Sequence, residues 1–261
     1  MINAVGRDIP EEILKATGKE VFQGTHHFDG HEYETASHKV KCVINSNGSK
    51  LVDSIHDVLV KCGIKDGMTL SFHHHFRNGD KVLNMVMEEV HAMGIKNITI
   101  CASSLGGQND PIVYMLDDGT ITNIESSGVR GEIGKAISNG RLQGLAIMRS
   151  HGARSRAIMS GETHIDIAFI GAPTADEYGN LNANGGKADC GVLSYSAVDA
   201  EYADRVVAVT DTLVPFPNLP AQISQVKVDY VVKVDEIGDP TKIATGAAKP
   251  TTDQRKLLMA K

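Results

Sequence analysis

Apolar positions in this chain follow two alternating patterns from about residue 50 onward. Amphipathic stretches with the 3.6-residue spacing of a helix occupy 50–63, 80–94 and 130–140, and each ends on a glycine. Between and beyond them lie short runs rich in Val, Ile and other apolar residues, which favour buried strands. The predicted strands are 68–72, 97–102, 120–124, 144–148, 164–172, 205–210 and 229–234.

The order of these elements predicts the fold class. Strands that alternate with helices at this spacing are typical of an α/β protein, with a mainly parallel sheet flanked by helices and right-handed crossovers. Residues 1–48 do not follow the pattern, because they are polar and irregular apart from a short helix expected at 10–18. The predicted organisation is an N-terminal arm, 1–48, followed by an α/β domain, 49–261.

Composition and charge narrow the classes of function. The chain has 261 residues, of which 41% are hydrophobic, and a formal net charge of -6. No block of Lys and Arg points to nucleic acid or to an anionic membrane as a partner. The four cysteines form no CxxC pair, the first residues lack the features of a signal peptide, and no apolar run approaches the roughly 20 residues of a membrane span. We expect a reduced, cytoplasmic protein.

Polar loops that contain glycine follow several of the predicted strands. Ligands of open α/β sheets bind beyond the carboxyl ends of the strands, so these loops are candidate sites. Glycine lets backbone N–H groups approach a ligand, a helix N-terminus adds free N–H donors, and arginine offers a planar fork that matches a carboxylate. The loops are 73–80, 103–109, 150–154 and 171–191. Together they predict a site for a small polyanion or for an oxyanion that develops during a reaction.

Each loop also has a simpler interpretation. His73, His74 and His75 are consecutive, so their side chains point in alternating directions on an extended chain, and we do not expect them to share a metal ion. Loop histidines with no role remain an alternative. His151 and Arg154 fit a solvated turn slightly better than a binding loop. A flexible surface loop is an alternative for the glycine- and asparagine-rich stretch 179–186.

Five stretches, taken together, resemble the alpha subunit of citrate lyase. They run in family order from about residue 50 to the end of the chain, and the HHxFRxGD-type loop and the DEYGN segment are specific. They are "IKDGMTLSFHHHFRNGD", "MGIKNITICASSL", "SHGARSR", "SGETHIDIAFIGAPTADEYGNLNANGGKADCGVLSY" and "VDYVVKVDEIGDPTKIATGA". The resemblance implies a three-layer α/β domain of the CoA-transferase superfamily. Family alpha subunits contain two such domains, so it also implies that 49–261 is the first of the two.

The resemblance implies the activity of a citrate CoA-transferase. Citrate and an acetyl group carried as a thioester exchange, which gives citryl-thioester and releases acetate. The beta subunit then cleaves the citryl-thioester to oxaloacetate and acetyl-thioester. The co-substrate is acetyl-CoA or the thioester on the prosthetic arm of an acyl carrier (gamma) subunit, and no cofactor is bound tightly. The implied partners are citrate, acetate and the beta and gamma subunits, within an oligomer.

The substrate chemistry suggests roles for the loop residues. Citrate is a trianion and a carboxylate is a weak nucleophile, so positioning and oxyanion stabilisation must supply most of the rate. We expect His73, His74 and Arg77 to hold carboxylates, and backbone N–H groups near Asn78 and Gly79 to receive an oxyanion or a carboxylate. The remaining substrate-binding candidates are Ser103 and Ser104 at the same mouth and Asn180, Asn182, Gly185 and Gly186 on its far side. No metal ligand and no nucleophilic side chain is assigned.

Three other functions remain open. A generic acyl-CoA:carboxylate CoA-transferase would share these loops but accept acetate or a 3-oxoacid in place of citrate. A half-subunit without activity would bind only ligand or partner subunits. An effector-binding module of a regulator would use a related scaffold, but it needs a DNA-binding helix-turn-helix, and residues 1–48 show neither that pattern nor a basic face.

Overall fold

The computed structural model describes residues 1–18, 20–21, 23, 48–243 and 252–259. The chain forms two compact units, residues 1–34 and 35–261. In the first unit, helix α1 (Glu11–Thr17) confirms the short helix predicted at 10–18, and Gly18 ends it in the left-handed region with a φ of 62°. The stretch 25–39, which is part of the predicted arm, lies outside the described residues. The boundary at 48/49 stays a prediction.

The second unit alternates strands and helices along the chain. Its strands are β1 (Leu51–Val52), β2 (Thr69–Phe72), β3 (Ile98–Ala102), β4 (Ile121–Ser126), β5 (Ala146–Met148), β6 (Ile167–Gly171), β7 (Thr174–Ala175), β8 (Leu181–Asn182), β9 (Arg205–Thr210) and β10 (Tyr230–Lys233). Its helices are α2 (Ile55–Cys62), α3 (Val82–Ala92), α4 (Tyr114–Asp117), α5 (Gly131–Ser138), α6 (His151–Met159), α7 (Ser196–Tyr202), α8 (Pro240–Ile243) and α9 (Gln254–Met259). Among the residues that the structure describes, no helix is long and apolar enough to cross a membrane.

One sheet organises this unit. Its strands follow the order β1-β10-β9-β6-β2-β3-β4-β5, and all neighbouring pairs are parallel, which confirms the predicted sheet. From β2 the chain runs outward through β3 and β4 to β5, and it then returns to the other side of β2 as β6. Such a reversal opens a crevice at the carboxyl ends of the two central strands, here β2 and β6. The hairpin of β7 and β8 stands outside this sheet.

Helices cover the sheet on both faces. Along β6, Ile167 and Phe169 belong to one hydrophobic cluster, whereas Ala168 and Ile170 belong to the other. Successive side chains of a strand point to opposite faces, so a strand buried on both faces is a continuous apolar run. Residues of α2, α3, α4 and α5 pack in the first cluster, and residues of α6 and α7 pack in the second. The result is the three-layer α/β arrangement that was predicted.

Two segments differ from their predicted structure. The helix expected at 50–63 begins only at Ile55, because 51–52 pair with β10 as strand β1 and Ser54 caps the helix by accepting a 3.0 Å hydrogen bond from the Asp57 N–H. The stretch 150–154 is the start of helix α6 and not a solvated turn. Ser150 caps α6, since its hydroxyl accepts a hydrogen bond from the Ala153 N–H at 3.2 Å.

Candidate active site

A cavity of about 250 Å³ opens at the carboxyl ends of the central strands. The loops after β2, β3 and β5 and the segment that leads into α7 supply its walls. Its lining residues are His73, His74, His75, Arg77, Ser103, His151, Cys190, Val192, Leu193, Ser194, Tyr195 and Ile243. Four sequence-predicted site residues, His73, His74, Arg77 and Ser103, therefore share one cavity.

The three consecutive histidines after β2 face three different environments. The ring of His73 is buried, and its Nε2 lies 3.1 Å from Oδ2 of Asp199, although not aligned as a hydrogen bond. The backbone N–H of His74 donates a 2.8 Å hydrogen bond to Oγ of Ser103. Nε2 of His75 lies 2.8 Å from the carbonyl oxygen of Gly171 at the end of β6. Each histidine residue thus contacts another element, and alternation along the chain leaves the rings of His73 and His75 on one side, with their centroids 6.0 Å apart.

His75 is held in the neutral form. Burial, together with the nearby His73 and His74, lowers the pKa of His75 to about 3, against the opposing effect of its hydrogen bond to Gly171. Its Nδ1 is buried without a hydrogen-bond partner in the described part of the chain. His75 therefore carries no charge at neutral pH and acts as a spacer in the cavity wall.

A buried ion pair lies beneath His73. Nη1 and Nη2 of Arg154, on α6, donate hydrogen bonds of 3.0 and 2.7 Å to the two carboxylate oxygens of Asp199, on α7. Ser71, the residue of β2 two positions before His73, accepts a 2.9 Å hydrogen bond from Nη2 and donates a short one to Asp199. Burial raises the pKa of Asp199, but Arg154 and His73 outweigh it, so the net pKa lies well below its usual value. The pair is ionised and fixes α6 and α7 to β2 below the cavity.

The rim of the cavity is positively charged: Arg77 lines the cavity, and Arg130, which does not line it, acts electrostatically on His74 in its wall. Burial, and then the charges of Arg130, Arg77 and His151, lower the pKa of His74 below its usual value. The guanidinium groups of Arg77 and Arg130 are exposed, and neither has an ion-pair partner within the described residues. Arg77 also adopts a φ of 52°, in the left-handed region that a residue with a Cβ seldom adopts. Unpaired cations around a half-buried histidine favour an anionic ligand.

Hydrogen bonds join the loops that carry this rim. The Leu105 N–H donates to the carbonyl of Gly128 at 3.0 Å, and the Arg130 N–H returns a 3.1 Å bond to the carbonyl of Leu105. Oγ of Ser104 adds a 3.3 Å bond to Gly128. Ser104, a predicted substrate-binding residue, is thus buried in this joint and is not among the residues that line the cavity.

The predicted backbone donors lie in a tight turn. Arg77–Gly79 form a single 3₁₀ turn, in which the Gly79 N–H donates a 2.9 Å hydrogen bond to the carbonyl of Phe76. That N–H is already used, so it is not available to an oxyanion in this conformation. The carbonyl of Gly79 accepts a 2.9 Å hydrogen bond from the Asp239 N–H, which joins the turn to the segment before α8.

The residues predicted for the far side of the mouth lie elsewhere. Asn182 and Gly185 line a second, open depression of about 380 Å³, together with Asn218 and the proline-rich 214–219 loop. Asn180 is buried, and its Nδ2 donates a 2.8 Å hydrogen bond to Asp176. The Gly186 N–H donates a 2.9 Å bond to the side chain of Asp189. The structure therefore does not bring these four residues into the walls of the histidine cavity.

Neither of the two cysteines near the cavity is suited to act as a nucleophile. Burial raises the pKa of the Cys190 thiol, in the cavity wall, to about 12. Burial likewise raises that of Cys101, at the end of β3, to about 12. A thiol with such a pKa is almost fully protonated at neutral pH, and the thiolate is the reactive form.

A group of possible metal ligands lies at the opposite end of the sheet. Donor atoms of His164, Asp166 and Asp204 lie within 4.8 Å of one another, just before β6 and β9. Nε2 of His164 is 3.0 Å from Oδ2 of Asp204, and Oδ2 of Asp166 accepts a 2.7 Å hydrogen bond from the Thr69 N–H. These contacts account for the arrangement without an ion.

Sequence reasoning missed several residues around the cavity. Asp199 gave no signal, because it lies 128 positions beyond Ser71 in an ordinary helical stretch. Arg130 also carried no motif, since only the parallel pairing of the loops after β3 and β4 brings its backbone near the loop that holds Ser103 and Leu105. His151 and Arg154 do carry a signal, because residues three apart lie on one face of a helix. One turn of α6 separates His151, in the cavity wall, from Arg154, in the buried ion pair.

Comparisons with known proteins agree on the family. The family model "Citrate lyase, alpha subunit" matches residues 48–261. The chain is 44% identical over 236 residues to the citrate lyase alpha chain of Haemophilus influenzae, which covers 90% of this chain and 47% of that protein. It is 46% identical over 212 residues to the Escherichia coli citrate lyase alpha chain, which covers 81% of this chain and 42% of that protein. The chain thus spans about half the length of the curated relatives it matches.

Solved structures extend the comparison to the fold. A Streptococcus mutans protein described as the alpha subunit of citrate lyase, in complex with citrate, aligns with a TM-score of 0.85 at 49% identity, over 99% of this chain and 50% of that one. An acyl-CoA transferase from Escherichia coli O157:H7 aligns with a TM-score of 0.59 at 15% identity, over 83% of this chain and 54% of that one. The second similarity concerns the fold alone. The predicted fold and family are confirmed: this chain belongs to the citrate lyase alpha subunit family.

Proposed function

We propose that this chain supplies the citrate-binding cavity of a citrate CoA-transferase. The observation that carries the proposal is the positive rim, where the charges of Arg77 and Arg130 both act on His74 and neither arginine has an ion-pair partner among the described residues. A tricarboxylate supplies the missing negative charges. Membership of the family, and a relative at 49% identity described in complex with citrate, support the same substrate.

The proposed reaction exchanges two carboxylic acids on one thioester. A carboxylate oxygen of citrate attacks the acetyl thioester carbon and expels the thiolate, which gives a mixed anhydride. The thiolate then attacks the citryl carbonyl carbon and releases acetate, so citryl-thioester forms with no group left on the protein. The high pKa of the Cys190 thiol fits a route that needs no nucleophilic side chain.

Side chains of the cavity have binding and charge-stabilising roles in this proposal. Arg77 and His74 hold citrate carboxylates, and His73, fixed above Asp199, forms the floor. Ser103 keeps the His74 backbone in place. Asn78 remains the candidate for a backbone donor to the oxyanion, because the Gly79 N–H is used within its turn. Removal of one oxyanion donor typically costs about a hundredfold or more in rate.

The co-substrate and partners follow from the family and are part of the proposal. The thioester is carried by CoA or by the prosthetic arm of an acyl carrier (gamma) subunit, and a beta subunit cleaves the citryl product. The assembly is an oligomer in the cytoplasm. Asn182 and Gly185, two of the predicted substrate-binding residues, line the second depression, and that is where they would contact a ligand.

A general acyl-CoA:carboxylate CoA-transferase is the second candidate function. The shared fold with acyl-CoA transferases favours it. The two candidates differ in the acid they accept, since a general transferase exchanges monocarboxylates such as acetate. The charge of the rim favours a polyanion over a monocarboxylate.

Calorimetry of citrate, citramalate and acetate binding tests the proposal. We expect citrate to bind more tightly than acetate, and Arg77→Ala to weaken citrate by about tenfold or more, because a charge-assisted hydrogen bond contributes about 1.5–3 kcal/mol. Arg156→Ala is the matched control, since Arg156 is exposed but pairs with Glu162 at the surface of α6. Equal affinity for citrate and acetate, or an unchanged affinity in Arg77→Ala, would contradict the assignment.

A further inference from the structure

We propose that Arg130 selects a tricarboxylate over a dicarboxylate by binding an additional carboxylate at the rim of the cavity. The inference rests on the proposed function and adds a residue from a different part of the sheet. Arg130 follows β4, whereas the histidine loop follows β2. It assigns separate carboxylates of one ligand to separate strands.

Backbone contacts hold Arg130 in place beside the histidine loop. Its N–H donates to the carbonyl of Leu105 at 3.1 Å, and Leu105 in turn is bonded to Gly128. Two residues before Leu105, Ser103 accepts the hydrogen bond from the His74 N–H at 2.8 Å. A continuous set of bonds therefore fixes the start of the Arg130 side chain relative to His74, and only the side chain itself is free to move.

The guanidinium of Arg130 is unlike those of the next four arginines along the chain. Arg141 pairs with Asp117, Arg149 with Glu125 and Glu162, Arg154 with Asp199, and Arg156 with Glu162. Arg130 is exposed and has no such partner among the described residues. Its charge nevertheless acts on His74, and it lowers the pKa of that residue more than Arg77 does, although Arg77 lies on the same loop as His74.

The separation of the two arginines determines what they can bind together. Adjacent strands lie about 4.8 Å apart, so the ends of β2 and β4 are about 10 Å apart, with β3 between them. Long side chains from those two positions can reach carboxylates at two ends of one small molecule. Citramalate has a methyl group where citrate has a carboxymethyl group, so it lacks one of the three carboxylates. We expect Arg130 to bind the carboxylate that citramalate lacks and so to distinguish the two acids.

Calorimetry with citrate and citramalate on the wild-type chain, Arg130→Gln and Arg141→Gln tests the inference. We expect Arg130→Gln to weaken citrate by about tenfold to a hundredfold and to leave citramalate within about threefold, because one charged hydrogen-bonding pair is lost only with citrate. Arg141→Gln is the control, since Arg141 lies beyond the other end of α5 and pairs with Asp117. A second readout needs no ligand: NMR titration should show a higher His74 pKa in Arg130→Gln.

Each contrary outcome has a distinct meaning. Equal weakening of citrate and citramalate would overturn selection by Arg130, and so would unchanged citrate binding. An unchanged His74 pKa would show that the guanidinium lies away from the cavity. If the wild-type chain binds neither acid, both the proposed function and the inference are wrong. If the wild-type chain binds citrate and Arg130→Gln binds it equally well, only the inference is wrong.

Discussion

Asp199 and Arg154 form a bidentate ion pair that is almost completely shielded from solvent. Asp199→Asn leaves the Arg154 charge buried and uncompensated, so we expect it to lower the free energy of unfolding by about 3–5 kcal/mol. Urea denaturation measures the change. Asp117→Asn, which breaks the exposed pair with Arg141, is the matched control and should leave stability almost unchanged.

A double variant separates charge burial from packing. Arg154→Met combined with Asp199→Leu removes both charges and keeps apolar volume, so it should be more stable than Asp199→Asn alone. If Asp199→Asn is as stable as the wild type, the pair does not hold α6 and α7 to β2. Loss of stability in both variants to the same extent would assign the effect to packing instead.

Single residues show where sequence reasoning ends. The alternating directions of His73, His74 and His75 follow from an extended chain, and the structure has them in different environments. Their partners are not predictable in the same way. Asp199 and Gly171 lie about a hundred positions or more further along the chain, and only the order of strands in the sheet brings them to this loop.

Elements were predictable in proportion to their burial and length. β6 and β9 are buried on both faces and appear as apolar runs in the sequence. β1 has two residues, and its apolar side chains also fit the helical spacing of α2, so the sequence pattern predicts one helix over both elements. Around the hairpin β7–β8, asparagine and glycine residues donate hydrogen bonds to nearby side chains of Asp176, Asn182 and Asp189. The sequence could not distinguish this local bonding from a ligand loop.

The contact between the 3₁₀ turn and the segment before α8 gives a prediction for an element. A Cβ at Gly79 would lie 2.5 Å from the carbonyl oxygen of Asp239, which is backbone and cannot rotate away. Gly79→Ala should therefore destabilise the fold by about 1–3 kcal/mol and displace Arg77, with weaker citrate binding. Gly152→Ala, in the first turn of α6 with open space around its Cβ, is the control and should be neutral or slightly stabilising. Thermal denaturation and calorimetry of the two variants compare these effects, and equal stability of both would refute the clash.

For the whole molecule, two buried groups in one loop act oppositely on the pH dependence of stability. Burial raises the pKa of Asp80 from 3.8 to about 7, against the effect of hydrogen bonds from the backbone of Leu83 and Val82. The stability linked to Asp80 is therefore present below pH 3.8 and is lost as the pH rises through 7. Burial lowers the pKa of His75 from 6.5 to about 3. The stability linked to His75 is present above pH 6.5 and is lost as the pH falls through 3.

Between pH 4 and 6.5 the two effects have opposite slopes, each at most about 1.4 kcal/mol per pH unit, and they largely cancel in the wild type. Asp80→Asn removes one of them, so its stability relative to the wild type should rise with pH across this range. His75→Gln removes the other and keeps an N–H donor for the Gly171 carbonyl, so its relative stability should rise as the pH falls. Urea denaturation at several pH values measures both slopes. A loss of stability that is the same at every pH does not change these slopes. Parallel pH profiles for the wild type and both variants would show that neither group titrates between the folded and unfolded states as its burial requires.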